Sequence, residues 1–156
     1  MTAVVGKWPH AETGAHRGAL GVYGSEKNQM VNYHDLNQGK AVGPRIYPSG
    51  AMVSQTSGHG DARLPGERSR RFGGTTSRGE LLGIGFIADG RDEVLTASRE
   101  NLRFGASQLK VMAGGGAATA YDPLDVSQYT FDELKAAVDA ASDWNTYVTV
   151  HAYTVR

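Results

Sequence analysis

No cysteine occurs anywhere in the chain. That excludes disulfide scaffolds, cysteine-ligated zinc fingers, iron–sulfur clusters and thiol nucleophiles. Net charge is missing too, because sixteen basic side chains balance sixteen acidic ones. Binders of nucleic acid and of anionic membrane surfaces need a positive surplus, so neither partner is expected. No apolar run is long enough to span a bilayer. The opening stretch from Met1 to His10 lacks the basic-then-apolar pattern of a signal peptide, so a cytoplasmic location is the default expectation.

Glycine is what the chain has in excess, with 21 residues, roughly twice the usual frequency. Residues 1–38 show no sustained apolar period and read as a poorly defined N-terminal segment, with a short helix near Lys27 to Asn37. Arg45 to Gly50 reads as a short strand, and Pro48 needs a place on it where no ladder donor is required. Ala51 to Phe86 reads as a long polar, glycine-rich loop, which in a compact domain is usually functional or disordered. Asp89 can cap a helix from about Arg91 to Phe104 with Val94, Ala97 and Leu102 on its apolar stripe, and Gly105 stops it. Gln108 to Met112 is a strand running into Gly114-Gly115-Gly116. Thr130 and Glu133 form a capping box for a helix with Phe131, Leu134, Val138 and Ala141 at helical spacing. Tyr147 to His151 is the last strand.

Strands alternating with helices favour parallel pairing through right-handed crossovers, an α/β architecture. Active sites in such folds lie at the C-terminal ends of strands. That rule selects Gly50 to Asp61, Lys110 to Gly116 and His151 to Thr154. Side chains alternate along a strand. Leu109, Val111, Val148 and Val150 suit a face packed on helices, which turns Lys110 and His151 to the other face near the strand ends. A lysine buried there is costly unless paired or chemically changed. Taken alone, a strand histidine is more often structural, and a lysine near a strand end can reach water along its stem. The glycine run could be a flexible turn. It also looks like a phosphate cradle, but it lacks the Lys-Ser/Thr of a P-loop, and nucleotide binding is discounted.

Gly43-Pro44-Arg45-Ile46, Ser49-Gly50 and Ser54-Gln55-Thr56-Ser57-Gly58-His59-Gly60-Asp61 resemble the amidohydrolase superfamily. Ala88-Asp89-Gly90, Lys110 to Gly116, Gln128 to Leu134 and Val150-His151-Ala152-Tyr153 continue the pattern in order. The branch it is most similar to holds the imidazolonepropionase-like and Xaa-Pro dipeptidase-like enzymes, including ochratoxinase-type amidases. The resemblance covers residues 39–156, which would then be a partial (β/α)8 barrel. It implies one or two divalent metals, usually zinc, and hydrolysis of amide bonds in N-acyl amino acids or dipeptides through a metal-activated water. Lys110 matches the lysine that carbon dioxide converts to a carbamate ligand, and His151 matches the histidine ligand of the fifth barrel strand. His59 and Tyr153 match positions that help bind substrate.

The family's first-strand HxH motif has no counterpart in this sequence: His10, His16 and His34 are not so spaced. Nor is a later histidine or a last-strand aspartate found after His151. A whole barrel needs roughly 250 residues. The expectation is therefore a fragment, a chain completed by another copy or another chain, or a non-catalytic derivative that oligomerises.

Overall fold

The computed structural model describes residues 47–117 and 121–154. The helix expected near Lys27 to Asn37, and His10, His16 and His34, lie outside the described residues. Four strands form one parallel sheet: β1 (Met52–Ser54), β2 (Gly85–Ile87), β3 (Leu109–Met112) and β4 (Val148–His151), in the order β2-β1-β3-β4. Short helix α1 (Arg78–Leu81) precedes β2, while α2 (Arg91–Arg103) and α3 (Phe131–Asp143) make the crossovers to β3 and β4. This is the parallel α/β arrangement expected from the alternation of strands and helices.

One face of the sheet is covered by α2 and α3. Val53, Val111, Val94, Ala97, Ala136 and Ala137 are buried together there, with Val148 and Leu134 packed against them. Leu109, Leu102, Ala140 and Ala141 form a second cluster beside it. Strand alternation therefore places Met52, Ser54, Lys110, Met112, Thr149 and His151 on the opposite face. Pairing of Lys110 with Thr149 and of Met112 with His151 sets the two chemical side chains one level apart on neighbouring strands.

Four sequence expectations need correction. The first strand among the described residues is Met52–Ser54, inside the stretch expected to be loop, while residues 47–50 of the expected strand are irregular and Arg45 and Ile46 lie outside the described residues. Gly50 adopts a left-handed φ of 70°, which breaks any strand running through it. The remainder of the expected loop holds a 3-10 turn at Arg70–Phe72, α1 and β2. Asp89 does not cap α2. Its carboxylate accepts from the Thr56 backbone N–H at 2.9 Å and the Thr56 hydroxyl at 2.6 Å. The entry to α2 is served instead by Glu93, which accepts from Asp89 N–H, and Glu133, which accepts from Gly90 N–H.

The third correction concerns α3. Its buried face is Ala136, Ala137, Ala140 and Ala141, while Phe131 and Val138 are exposed. Small residues let α3 lie close to α2 and the sheet; Leu134 and Ala141 of the expected stripe face that side, while Phe131 and Val138 are turned outward. Val150 is likewise exposed rather than covered, although it shares its face with Val148.

Candidate functional site at the C-terminal ends of the strands

The loop after β1 carries His59, and its shape is fixed locally. Ser57 takes a left-handed φ of 59°. Its N–H donates to Asp61 Oδ2 at 2.8 Å and its hydroxyl to the Tyr121 carbonyl at 2.9 Å. Burial alone would push the Asp61 carboxyl up. The Arg63 guanidinium and the N–H groups of Ser57 and Arg63 outweigh it and hold the carboxyl below its ordinary value. On the outer side of this loop lies a polar cavity of about 320 Å³, where Arg70 pairs with Glu80 and Arg71 with Glu93.

On the inner side the loop delivers His59 onto His151. The two imidazoles are stacked, with centroids 4.0 Å apart and planes 3° from parallel. Tyr153 meets the His151 ring edge-on at 4.9 Å. The chain thus gathers three of the four side chains singled out in the sequence into one contact group. The fourth, Lys110, lies on the same face from β3 and is close enough for its charge to act on His151.

Lys110 is half-buried, and desolvation lowers its pKa. Among the described residues no carboxylate offsets that cost. His151 is also lowered, first by burial, then by the charges of His59 and Lys110. The Gly115 carbonyl and Asp122 act in the opposite direction but do not win. His151 Nε2 lies 3.1 Å from the Gly115 carbonyl. A nitrogen facing a carbonyl must donate, so in the neutral ring the lone pair sits on Nδ1. A ring nitrogen bonded to a backbone carbonyl, with the other left basic, is the arrangement metal-ligating histidines use.

The donor set therefore suits a divalent cation at two positions. They are a histidine kept neutral with one lone pair oriented, and a lysine whose neutral amine is favoured by burial. Among the described residues no group of three or more histidine or carboxylate side chains is gathered as a metal cage.

Several residues in the site were not singled out in the sequence. Asp122 Oδ2 lies 2.8 Å from His59 Nδ1. Gln128 Oε1 accepts from the His59 backbone N–H at 2.8 Å. The glycine run is a place of close backbone packing. A Cβ on Gly116 would overlap the His59 ring, and one on Gly115 would overlap the Pro123 carbonyl. The run lets the loop after β3 lie against both histidine loops. The Asp-Pro pair at 122–123, following three glycines, was the only local signal in the sequence, and it does not say which distant ring it serves.

A parallel sheet with its crossover helices packed on one face is the architecture of a segment of a parallel α/β barrel. The model of the amidohydrolase family matches residues 24–155, and the chain belongs to that family. It is 37% identical over 159 residues to ochratoxinase from Aspergillus niger, an alignment covering 92% of this chain and 33% of that protein. The chain thus spans about a third of the length of the curated relatives it matches.

Solved structures agree on the fold. A prolidase complexed with N-methylphosphonate-L-proline superposes with a TM-score of 0.68 at 40% identity, over 80% of this chain and 30% of that one. The A. niger ochratoxinase crystal structure gives 0.66 at 35% identity, over 81% and 30%. A Xaa-Pro dipeptidase with bound methionine in its active site gives 0.66 at 26% identity, over 88% and 35%. These neighbours bear out the partial amidohydrolase barrel expected from the motifs.

Proposed function

We propose that this chain carries part of the active-site wall of a metal-dependent amidohydrolase that cleaves amide bonds of N-acyl amino acids or dipeptides. The observation that carries the reading is the gathering of Lys110, His151, His59 and Tyr153 on one sheet face at the strand ends. Lys110 and His151 would hold a divalent cation, zinc by family expectation. His151 would offer Nδ1. The neutral Lys110 amine would attack carbon dioxide, forming a C–N bond and releasing a proton. The resulting carbamate is an anionic oxygen donor, and a bound divalent cation would offset the cost of burying that charge. When bound, the metal supplies polarisation of the scissile carbonyl and a lower pKa for water.

His59 and Tyr153 would orient the substrate. Tyr153 is largely exposed yet held by its edge contact with His151, which suits a phenol that meets a ligand at the mouth. The relatives named for dipeptides and for a proline phosphonate complex support the dipeptide class.

Hydrolysis tests the proposal. The chain, supplied with zinc and bicarbonate, is assayed for amine release from Xaa-Pro dipeptides and N-acyl amino acids. Activity that falls at least tenfold in Lys110→Ala and in His151→Ala is expected. Wild-type chain that neither retains zinc nor cleaves any such substrate would contradict it.

A second reading, a non-catalytic oligomer of this fold, draws on one feature. Val150 on the outermost strand of the sheet is exposed, as are Tyr147 and Val138. A second copy or a completing chain would cover such a surface, and light scattering distinguishes an assembly from a monomer.

A further inference from the structure

Asp122 sits in the loop between β3 and α3, 63 positions from His59 in the sequence. It is buried, and Oδ2 makes the ion-pair contact with His59 Nδ1 at 2.8 Å. Its other oxygen, Oδ1, is buried with no hydrogen-bond partner among the described residues. Burying a carboxylate with half its acceptor capacity unmet is unfavourable, and a buried group of this kind calls for a reason. Asp122 belongs to neither of the hydrophobic clusters among the described residues.

The same loop constrains His59 from other directions. Gln128 holds its backbone N–H. Gly116 leaves the space its ring fills. Ser57, two residues before His59, donates to the carbonyl of Tyr121, the neighbour of Asp122. The two loops are therefore tied at adjacent residues, and the His59 ring is fixed between the glycine run and the face of His151.

We propose that Asp122 is the positioning residue of His59, fixing the ring with Nδ1 as donor and flat against His151. A nitrogen 2.8 Å from a carboxylate oxygen must donate, so the neutral ring carries its lone pair on Nε2. The role assigned to Asp122 rests on the reading above that His59 belongs to the substrate site, and it acts through His59 without touching substrate. It sets which nitrogen of His59 can accept a hydrogen from a ligand, and it holds the ring orientation that the stack on His151 requires.

Ring-nitrogen NMR tests this without turnover or metal. The full chain is labelled with ¹⁵N at histidine, and the His59 signals are assigned by their loss in His59→Gln. The wild type is expected to show His59 protonated at Nδ1, with a slowly exchanging Nδ1–H. Asp122→Ala is expected to lose that slow proton and to give a rapidly exchanging tautomer mixture. Asp122→Asn, which keeps an acceptor oxygen, is expected to retain it. His59 protonated at Nε2 alone in the wild type, or an unchanged His59 spectrum in Asp122→Ala, would overturn the proposal. If Asp122→Ala fails to fold, the wild-type tautomer and the Asn variant decide. Absence of amide hydrolysis leaves this result untouched, so the two readings fail separately.

Discussion

At the scale of single residues, two buried polar side chains have opposite meanings. Asn101 is fully buried on α2 and makes a two-way bond with the backbone of one residue, Ala51, just before β1. Its amide donates to the Ala51 carbonyl at 2.8 Å and its oxygen accepts from the Ala51 N–H at 2.9 Å. Gly50 allows this approach, since a Cβ there would run into the Asn101 side chain. Asn101 is therefore structural. Asn101→Ala leaves two buried backbone groups unmet and is expected to cost about 2–4 kcal/mol. Urea unfolding checks this, and a loss under 1 kcal/mol would mean the bonds are readily replaced. Asp122, by contrast, serves a ring at the mouth and leaves one of its own oxygens unsatisfied. The placement of Lys110 and His151 on one sheet face was legible in the sequence because strand alternation and strand ends are local properties. Asp122, Gln128 and Asn101 were not, because their partners lie tens of residues away and a lone Asp, Gln or Asn in a glycine-rich chain carries no periodic signal.

Among the secondary-structure elements, what the sequence reveals depends on how each one is stabilised. The Thr130–Glu133 pairing expected at the start of α3 is present: the Glu133 carboxylate accepts from the Thr130 N–H and from the Thr130 hydroxyl, both at 2.8 Å. Both ends of the signal lie within four residues, so it can be read directly. Thr130→Ala is expected to destabilise the fold by about 1 kcal/mol, with an N-cap replacement by Asn nearly neutral. Thermal melts of the two variants decide it, and equal melting temperatures for Ala and wild type would show that α3 is held by packing alone. The first strand was misplaced because Met52–Ser54 is only three residues long. A strand so short exists by pairing with β2 and β3, a tertiary cause that no local pattern announces. The stripe of α3 was read correctly at Leu134 and Ala141 but not at Phe131 and Val138, for a related reason: closeness between α3 and its neighbours selects alanine, while these two larger residues sit on the side that the described elements leave open.

For the molecule as a whole, the order β2-β1-β3-β4 brings the ends of strands distant in sequence to one mouth. The crossover helices close one face, and the loops after β1 and β3 meet over the other through Ser57–Tyr121 and His59–Asp122. Parallel topology was legible from alternation of strands and helices, and membership of the amidohydrolase family follows from the match over residues 24–155. The meeting of the two loops was not legible, because it depends on close backbone approach at Gly115 and Gly116 rather than on any side chain at those positions. The central claim is that Lys110 and His151 act as a donor pair on this face. Its most direct test is ¹³C NMR of the chain in ¹³C-bicarbonate with zinc, followed by measurement of retained metal. A carbamate resonance that disappears in Lys110→Arg, with zinc retention lowered in His151→Ala, is the predicted result. No carbamate signal in the wild type, and zinc retention no greater than in the doubly substituted chain, would contradict it.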